Sequence, residues 1–210
     1  MKRLIIGVLI GIAFTQAARA ESHGLNNCGH ALTFNEAPQR VVSIGQASTE
    51  ILYALGLGER VVGTGVWFTP VLDEYRALNA AVPRLADNDP SFEAILARKP
   101  QLVTSQYEWH IGPKGIIATR EQFHEIGVPT YVLPSDCVGK DNSKGSDGTR
   151  AELFSTELVH QGIRDLARIF GVAERGEALV TRLIEREEQA AQRVRDLQLG
   201  DVSAVFWFSS

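Results

Sequence analysis

Residues 41–63, VVSIGQASTEILYALGLGERVVG, constrain the fold more than any other part of the chain. They read as an apolar strand, a small polar turn, a short helix and a second apolar strand, which is the order of a βαβ unit. In such a unit the turn lies at the carboxyl end of its strand, where open α/β sheets bind ligands when the strand order reverses. The turn at Gly45, Gln46, Ala47 and Ser48 is therefore either a ligand contact or a simple tight connection.

Short β-branched runs with turn signals around them predict buried strands of a parallel sheet. The predicted strands are 41–44, 61–66, 102–104 and 130–133. Helices are predicted between them at 49–55, 91–98 and 116–126. Ser48 is the expected N-cap of the first helix, and Gly56 is expected to end it. This alternation of strands and helices predicts an α/β lobe.

The second part of the chain has a different pattern. Residues 134–150 are polar and read as a long loop, and two helical patterns follow at 153–170 and 173–197. The last ten residues, DVSAVFWFSS, read as the first buried strand of a new sheet. Because a lone apolar strand has nothing to pair with, we expect the sequence to be a fragment whose second lobe is mostly missing.

The N-terminus predicts export. A basic start at Met1–Arg3, an apolar run at 4–14 and the small residues ARA at 18–20 form a secretory signal peptide, with cleavage before Glu21. The alternative is a membrane anchor, but the run is shorter than the ~20 apolar residues that a spanning helix needs. No cysteine lies at the cleavage site for a lipid anchor. We therefore expect a soluble periplasmic protein.

The charge and the cysteine content of the chain further limit the classes of protein to which it could belong. The formal net charge is −4 and the basic residues are scattered, which does not favour nucleic acid or a polybasic membrane surface as partner. In an oxidising compartment, the only two cysteines, Cys28 and Cys137, are expected to form a disulfide. The alternative is two unrelated buried thiols.

The segments APQRVVSIGQASTEILYALGLGERVVGTGVW and VPRLADNDPSFEAILARKPQLVTSQY resemble the N-terminal lobe of periplasmic substrate-binding proteins of ABC importers for iron-siderophore, haem and cobalamin. The part EAILARKPQLV is the most specific. The resemblance implies two α/β lobes joined by one long helix, with only a modest hinge movement on binding. The implied division is a signal peptide at 1–20, an N-terminal lobe at 21–149, an interlobe helix at 150–171 and the beginning of a C-terminal lobe at 172–210.

Aromatic and polar side chains follow the predicted strands and suit a pocket for a flat or chelated metal complex, because rings supply contact area and polar groups set orientation. The alternative is that Tyr107 and Trp109 pack inside the lobe. The expected ligand contacts are Gln46, Ser48, Trp67, Tyr107, Trp109 and His110. Tyr107 and His110 are of the types that ligate haem iron. A siderophore fills the iron's coordination shell itself, so we expect neither a direct metal ligand nor a cofactor.

The resemblance also implies a protein partner. A glutamate at the position of Glu93, in the first turn of a short helix, pairs with an arginine of the membrane permease in similar proteins. Its other interpretation is stabilisation of the helix dipole, and both can hold. The protein itself is expected to be a monomer.

Other classes are disfavoured. The chain lacks GxSxG, HExxH, CxxC and Gly-rich phosphate motifs, which argues against an enzyme. A direct zinc or manganese binder remains an alternative, although the five histidines, His23, His30, His110, His124 and His160, show no ligand spacing. A docking module without a small ligand also remains open. We expect a receptor for a metal chelate, most of all a ferric siderophore, with haem and cobalamin as alternatives.

Overall fold

The computed structural model describes residues 23–143 and 148–198, together with residues 200 and 203. Within this part of the chain, a parallel five-stranded sheet carries the fold, in the order β5-β4-β3-β6-β7. The strands are β1 (His23–Asn27), β2 (His30–Phe34), β3 (Val41–Ile44), β4 (Val61–Gly65), β5 (Arg84–Ala86), β6 (Leu102–Ser105), β7 (Thr130–Val132), β8 (Lys140–Asp141) and β9 (Thr149–Arg150).

Helices lie between and after the strands. They are α1 (Gln46–Ala54), α2 (Arg76–Ala81), α3 (Phe92–Leu96), α4 (Glu108–Ile111), α5 (Arg120–Glu125), α6 (Pro134–Cys137), α7 (Glu157–Ile169) and α8 (Ala173–Asp196). Short 3₁₀ turns occur at Gly58–Arg60 and Asp73–Tyr75. Helices alternate with the strands of this parallel sheet, so the predicted α/β fold with a parallel-sheet lobe is confirmed.

The central strands are buried on both sides, as their continuous apolar runs predict. Every residue of β3 and of β6 is buried. All four predicted strands are present to within one residue at either end. The edge strand β5 was missed because it has three residues, of which Arg84 is exposed and the other two are only partly buried.

Two helix predictions need correction. The first helix begins at Gln46, with Gly45 in the N-cap position, so Ser48 lies inside the helix and is not its cap. The third begins only at Arg120, because the side chain of Thr119 accepts the backbone N–H of Gln122 and Gln122 bonds back in a capping box. The second helix has the side chain of Ser91 as its N-cap.

The predicted polar loop at 134–150 contains structure. Its first residues form α6, with Pro134 in the first turn, where a missing N–H costs nothing. Lys140 and Asp141 then pair antiparallel with Thr149 and Arg150 as a small hairpin, β8–β9. Residues 144–147 between these strands lie outside the described part.

Helix α7 packs across the lobe. Ile163, Leu166 and Ile169 are buried in the same apolar core as Val41 and Leu102. The hydroxyl of Tyr131 in β7 donates to Oδ2 of Asp165 at 3.2 Å, and burial raises the pKa of Tyr131 well above its ordinary value. The helix begins seven residues after Arg150, from which an interlobe helix was predicted.

Helix α8 is longer and more exposed than α7. It buries Gly176 and Val180 near its start, and from Glu185 onwards it is exposed to solvent. The predicted terminal strand at 201–210 lies outside the described residues apart from Ser203, and the predicted signal peptide at 1–20 also lies outside them. Among the helices that the structure describes, none is both long and apolar enough to cross a membrane.

An N-terminal hairpin, β1–β2, is fastened to the outer edge of β7. The side chain of Asn27 donates to the carbonyl of Val132 at 2.7 Å and accepts its N–H at 2.8 Å, as a neighbouring strand would. The buried guanidinium of Arg120 donates to Asn27 and Thr130, and burial lowers its pKa to about 10. The next residue, Cys28, forms a disulfide with Cys137, which confirms the predicted pairing.

Candidate ligand-binding cavity

A cavity of about 430 Å³ lies at the carboxyl edge of the parallel sheet. Its walls come from the segments that follow β4, β5, β6 and β7, because parallel strands bring all their carboxyl ends to one edge. The lining residues are Val66, Phe68, Asn88, Asp89, Tyr107, Trp109, His110, Asp136 and Lys140. The geometry therefore unites four strand ends around one space.

Three aromatic side chains form much of the wall. The ring of Phe68 meets that of Tyr107 edge to face, with 6.5 Å between centroids. Trp109 follows Tyr107 by two residues, and 45% of its surface is exposed. Rings that are held by the fold yet open to solvent offer contact area at a small entropic cost. This wall suits a ligand with a large apolar or planar surface.

A histidine and a carboxylate join two of the strand ends. Nε2 of the buried His110, after β6, lies 3.1 Å from Oδ1 of Asp89, after β5. Burial lowers the pKa of His110 below its ordinary value, while Asp89 and the backbone of Tyr107 act in the opposite direction. Nδ1 of His110 is buried with no hydrogen-bond partner among the described residues. The pair therefore joins a buried imidazole, whose charged form is disfavoured by burial, to a partly exposed carboxylate.

A second carboxylate, that of Asp136, stabilises another part of the cavity wall. Oδ2 of Asp136 in α6 accepts the backbone N–H of Glu108 at 2.7 Å, and Oδ1 pairs with the ammonium of Lys140. Both members of this ion pair are almost buried. Since Glu108 is the first residue of α4, Asp136 fixes the helix that carries Trp109 and His110.

In the turn that follows β3, the backbone of Gly45 packs closely against Gln106 and leaves no open space beside it. Gly45 takes φ +109, and a Cβ at this position would lie 2.3 Å from Cβ of Gln106. Oε1 of Gln106 accepts the N–H of Ala47 at 2.9 Å. The strand order reverses between β3 and β6, so the side chain of Gln106 occupies the crevice where a ligand was expected.

Ser48 is fully buried and is not part of the cavity lining, so its ligand contact stays a prediction. Its hydroxyl donates to Thr104 at 2.8 Å and accepts from Ser43 at 3.1 Å. Thr49 extends the same network to Thr64. This hydroxyl cluster joins α1 to three strands, because each hydroxyl both donates and accepts.

Gln46 lies near the cavity but outside its lining. Its side chain donates to Glu50 at 3.0 Å and accepts from the backbone and hydroxyl of Thr69 at 3.2 and 3.0 Å. It therefore holds the segment after β4 against α1. Contact with a ligand stays a prediction for this residue.

Trp67, one of the expected ligand contacts, does not line the cavity, whereas the neighbouring Phe68 does. Trp67 is only 8% exposed, donates its indole N–H to Thr64 at 3.1 Å and stacks under Arg84. Phe68 is 68% exposed and lines the cavity. The reason is the backbone of Val66, which takes φ +63 and so turns the first aromatic side chain inwards and the second outwards.

Tyr107, Trp109 and His110 lie together at the cavity, as their position after a strand predicts. Asp89, Asp136 and Lys140 were missed. Asp89 follows the unpredicted strand β5, in the polar run ADND, and this polar run at a strand end was the available signal. Asp136 and Lys140 lie in the segment interpreted as a loop.

Glu93 lies away from the cavity wall. It is exposed in the first turn of α3, where the side chain of Ser91 caps the helix. A carboxylate there favours the helix dipole and remains accessible to a partner. Among the described residues, no three His, Cys, Asp or Glu side chains lie close enough together to hold a metal ion.

A parallel sheet with an aromatic-lined cavity at its carboxyl edge is the arrangement in which open α/β sheets bind ligands. The pattern of the periplasmic binding protein family matches residues 41–210, and the chain belongs to this family. The chain shares its family and its fold with periplasmic binding proteins.

Parts of the chain are also similar to individual proteins. An uncharacterised ABC transporter substrate-binding lipoprotein of Bacillus subtilis, YvrC, is 35% identical over 72 residues, which are 34% of this chain and 21% of that protein. A periplasmic binding protein of Veillonella parvula superposes with a TM-score of 0.62 at 23% identity, over 81% of this chain and 52% of that one.

Two further solved structures are of proteins that are named for their ligand. One is an ABC-type Fe³⁺-hydroxamate transport system of Saccharomonospora viridis, with a TM-score of 0.62, 26% identity and coverage of 78% of this chain and 53% of that one. The other is a periplasmic haem-binding protein of Pseudomonas aeruginosa, with a TM-score of 0.54, 22% identity and coverage of 77% and 48%. The chain spans about half the length of the solved structures that it matches.

Proposed function

We propose that this protein is the periplasmic solute-binding component of an ABC import system, and that it captures a metal chelate and delivers it to the membrane permease. A ferric siderophore is the leading ligand. The observation that carries the proposal is the wall of Phe68, Tyr107 and Trp109 at the carboxyl edge of the sheet, beside the contact between the buried His110 and the partly exposed Asp89.

The chemistry of the cavity fits a chelate better than a bare ion. Exposed rings provide contact with the organic shell of the ligand, and Asp89, Asn88 and Lys140 provide a few polar contacts that set its orientation. Direct zinc or manganese binding has less support, because the described residues contain no cluster of metal ligands. The Fe³⁺-hydroxamate relative from Saccharomonospora viridis supports the same class.

Haem is the second candidate, and one observation favours it. Tyr107 and His110 line the same cavity with 5.8 Å between ring centroids, and both side-chain types ligate haem iron. The haem-binding relative from Pseudomonas aeruginosa has the same fold. Nε2 of His110 contacts Asp89 and its Nδ1 is buried, so direct ligation by His110 would require the ring to move. Cobalamin has no separate observation in its favour.

The lobe division remains part of the proposal. The described cavity is one wall of a cleft that a second lobe would close. Helix α8 is a better candidate for the interlobe connection than the predicted segment 150–171, because α7 is buried along one face against the lobe whereas the second half of α8 is exposed. A continuous helix at the junction resists bending, so we expect only a modest hinge movement.

Export and docking complete the proposal. The signal peptide pattern at 1–20 supports a periplasmic location, and the exposed carboxylate of Glu93 supports docking to an arginine of the permease. We expect the protein to act as a monomer. Charge at such a rim sets orientation and association rate more than affinity.

The experiment is a tryptophan-fluorescence titration of the full-length protein with ferric siderophores, haem, cobalamin, Zn²⁺ and Mn²⁺, because Trp109 lies in the cavity wall. We expect saturable quenching by one chelate, and weaker binding in Phe68→Ala. Phe154→Ala is the matched control, since this ring is also exposed but lies outside the cavity. A response to Zn²⁺ or Mn²⁺ with silence towards every chelate would overturn the proposal.

A further inference from the structure

We propose that this cavity selects neutral or cationic chelates over anionic ones, and that Asp89 is the residue that discriminates between them. The inference rests on the proposed function and deepens it, because it names the charge class of the ligand. It comes from the charges of the cavity wall and from their partners.

The lining carries three charged side chains, and two of them cancel. Asp136 and Lys140 form an almost buried ion pair. Asp89 is left as the uncompensated charge of the lining, which includes no arginine. Its side chain is 41% exposed, so the carboxylate is open to a ligand.

The contact with His110 holds Asp89 in place without cancelling its charge. Desolvation of the buried ring disfavours the imidazolium, so at neutral pH the ring donates an N–H from Nε2 and carries no charge. The carboxylate is therefore held in position and remains negative. Because the donor is neutral, the contact between His110 and Asp89 is a hydrogen bond and not an ion pair.

The cationic side chains near the cavity have other partners and do not neutralise Asp89. Arg84 pairs with Asp87 at 3.0 Å and stacks on Trp67, and Lys114 donates to the carbonyl of Ser143 at 2.9 Å. Arg150 bonds to the carbonyl of Ser135. Within the described residues, His110 is thus the one basic group in salt-bridge range of Asp89.

The aromatic wall acts in the same direction. The face of an aromatic ring carries partial negative charge and attracts cations, most strongly when water is excluded. Phe68, Tyr107 and Trp109 surround the space that Asp89 faces. A chelate with a positive or neutral periphery gains from both features, whereas an anionic chelate meets repulsion from both.

The test compares three ferric complexes of graded charge with the full-length protein. They are a neutral tris(hydroxamate), a tris(hydroxamate) with a pendant ammonium, and a trianionic tris(catecholate). Affinity is measured by fluorescence titration at low salt. We expect the cationic complex to bind at least as tightly as the neutral one, and the anionic complex to bind more weakly by on the order of tenfold or more.

Asp89→Asn is the decisive variant, and Asp87→Asn is its matched control on the same loop, outside the cavity lining. We expect Asp89→Asn to weaken the cationic complex by about tenfold and to leave the neutral one nearly unchanged. Asp87→Asn should alter neither. In the unmodified protein, raising the salt concentration should weaken only the cationic complex, because screening shortens the range of the attraction.

Two results have different meanings. Equal or tighter binding of the trianionic complex, or a cation preference that survives in Asp89→Asn, would overturn the charge selection while the receptor function stands. Absence of binding by every complex would overturn the proposed function itself.

Discussion

The carboxylate of Asp136 accepts the backbone N–H of Glu108 at 2.7 Å and pairs with the ammonium of Lys140. This relationship joins the segment after β7 to the first turn of α4. Because α4 carries Trp109 and His110, one carboxylate positions two residues of the cavity wall. The neighbouring Cys137 ties the same segment to the N-terminal hairpin.

Replacing Asp136 with Ala should lower the free energy of unfolding by about 1–3 kcal/mol, because a buried donor and an ammonium lose their partner. Lys140→Met in the same background should recover part of this loss, since it removes the unpaired charge. Urea unfolding of both single variants and the double variant measures the coupling. Additive costs would contradict the pairing.

The close approach of Gly45 to Gln106 predicts a large effect of a single methyl group. Gly127→Ala, where φ is +77 and no atom lies within 4 Å, should cost only the ~1–2 kcal/mol of a left-handed backbone. Gly45→Ala adds a steric clash with Gln106 and a backbone conformation, φ +109 and ψ +139, that is nearly restricted to glycine, so we expect a further loss of about 1–3 kcal/mol. Equal losses in urea unfolding would contradict this prediction.

The disulfide should contribute strongly to stability. Cys28 and Cys137 are 109 residues apart, and in the chain-entropy model the closed loop stabilises the folded state by roughly 4–5 kcal/mol. We expect Cys28→Ala/Cys137→Ala to lose most of this in urea unfolding. Treatment with reductant should destabilise the unmodified protein and leave the double variant unaffected, and a response of the double variant would assign the effect to something else.

Burial of His110 predicts a pH dependence of stability. Its pKa in the folded protein lies below the ordinary value of 6.5, so between these two values the unfolded chain binds a proton that the folded protein does not. The free energy of unfolding should therefore fall as the pH drops below about 6.5, until the lowered pKa is reached.

His110→Gln keeps a donor for Asp89 but does not titrate, so its stability should depend less on pH in this window. Burial also lowers the pKa of His30, and His30→Gln is the comparison variant for the contribution of that residue. Urea unfolding at pH 7.5 and 5.5 measures the difference. An unchanged slope in His110→Gln would contradict the assignment.

Charge reversal at Glu93 tests the docking surface separately from the cavity. We expect Glu93→Arg to abolish uptake of the ligand in cells and to leave the affinity of the purified protein nearly unchanged, because the residue is exposed in α3 outside the cavity lining. Glu59→Arg, which is exposed in the 3₁₀ turn before β4, is the control and should transport normally. A large loss of affinity in Glu93→Arg would rule out a pure docking role.

Several sequence predictions depended only on local pattern, and these agree with the structure. The strands β3, β4, β6 and β7 are continuous apolar runs, and such runs must be buried on both faces in any parallel sheet. The placement of Tyr107, Trp109 and His110 at one cavity follows because carboxyl ends of parallel strands share an edge. The pairing of Cys28 with Cys137 followed from their even number and the oxidising compartment.

The direction of individual side chains could not be derived in the same way. Trp67 and Phe68 are adjacent aromatic residues, and the left-handed backbone of Val66 decides which of them enters the core. Ser48 belongs to a hydroxyl cluster whose members come from α1 and three strands. Such contacts join residues that are far apart in sequence, so no local pattern records them.

The sequence by itself determined an α/β lobe and the edge of the sheet where a ligand is expected, because these depend on period, turn chemistry and strand direction. The family was indicated separately, by the resemblance of two segments to known binding proteins. Only the tertiary structure decided that Gln106 fills the crevice at Gly45, that Phe68 replaces Trp67 in the wall, and that Asp89 remains uncompensated beside His110. The physical reason is that burial and charge compensation depend on which strand ends meet in space.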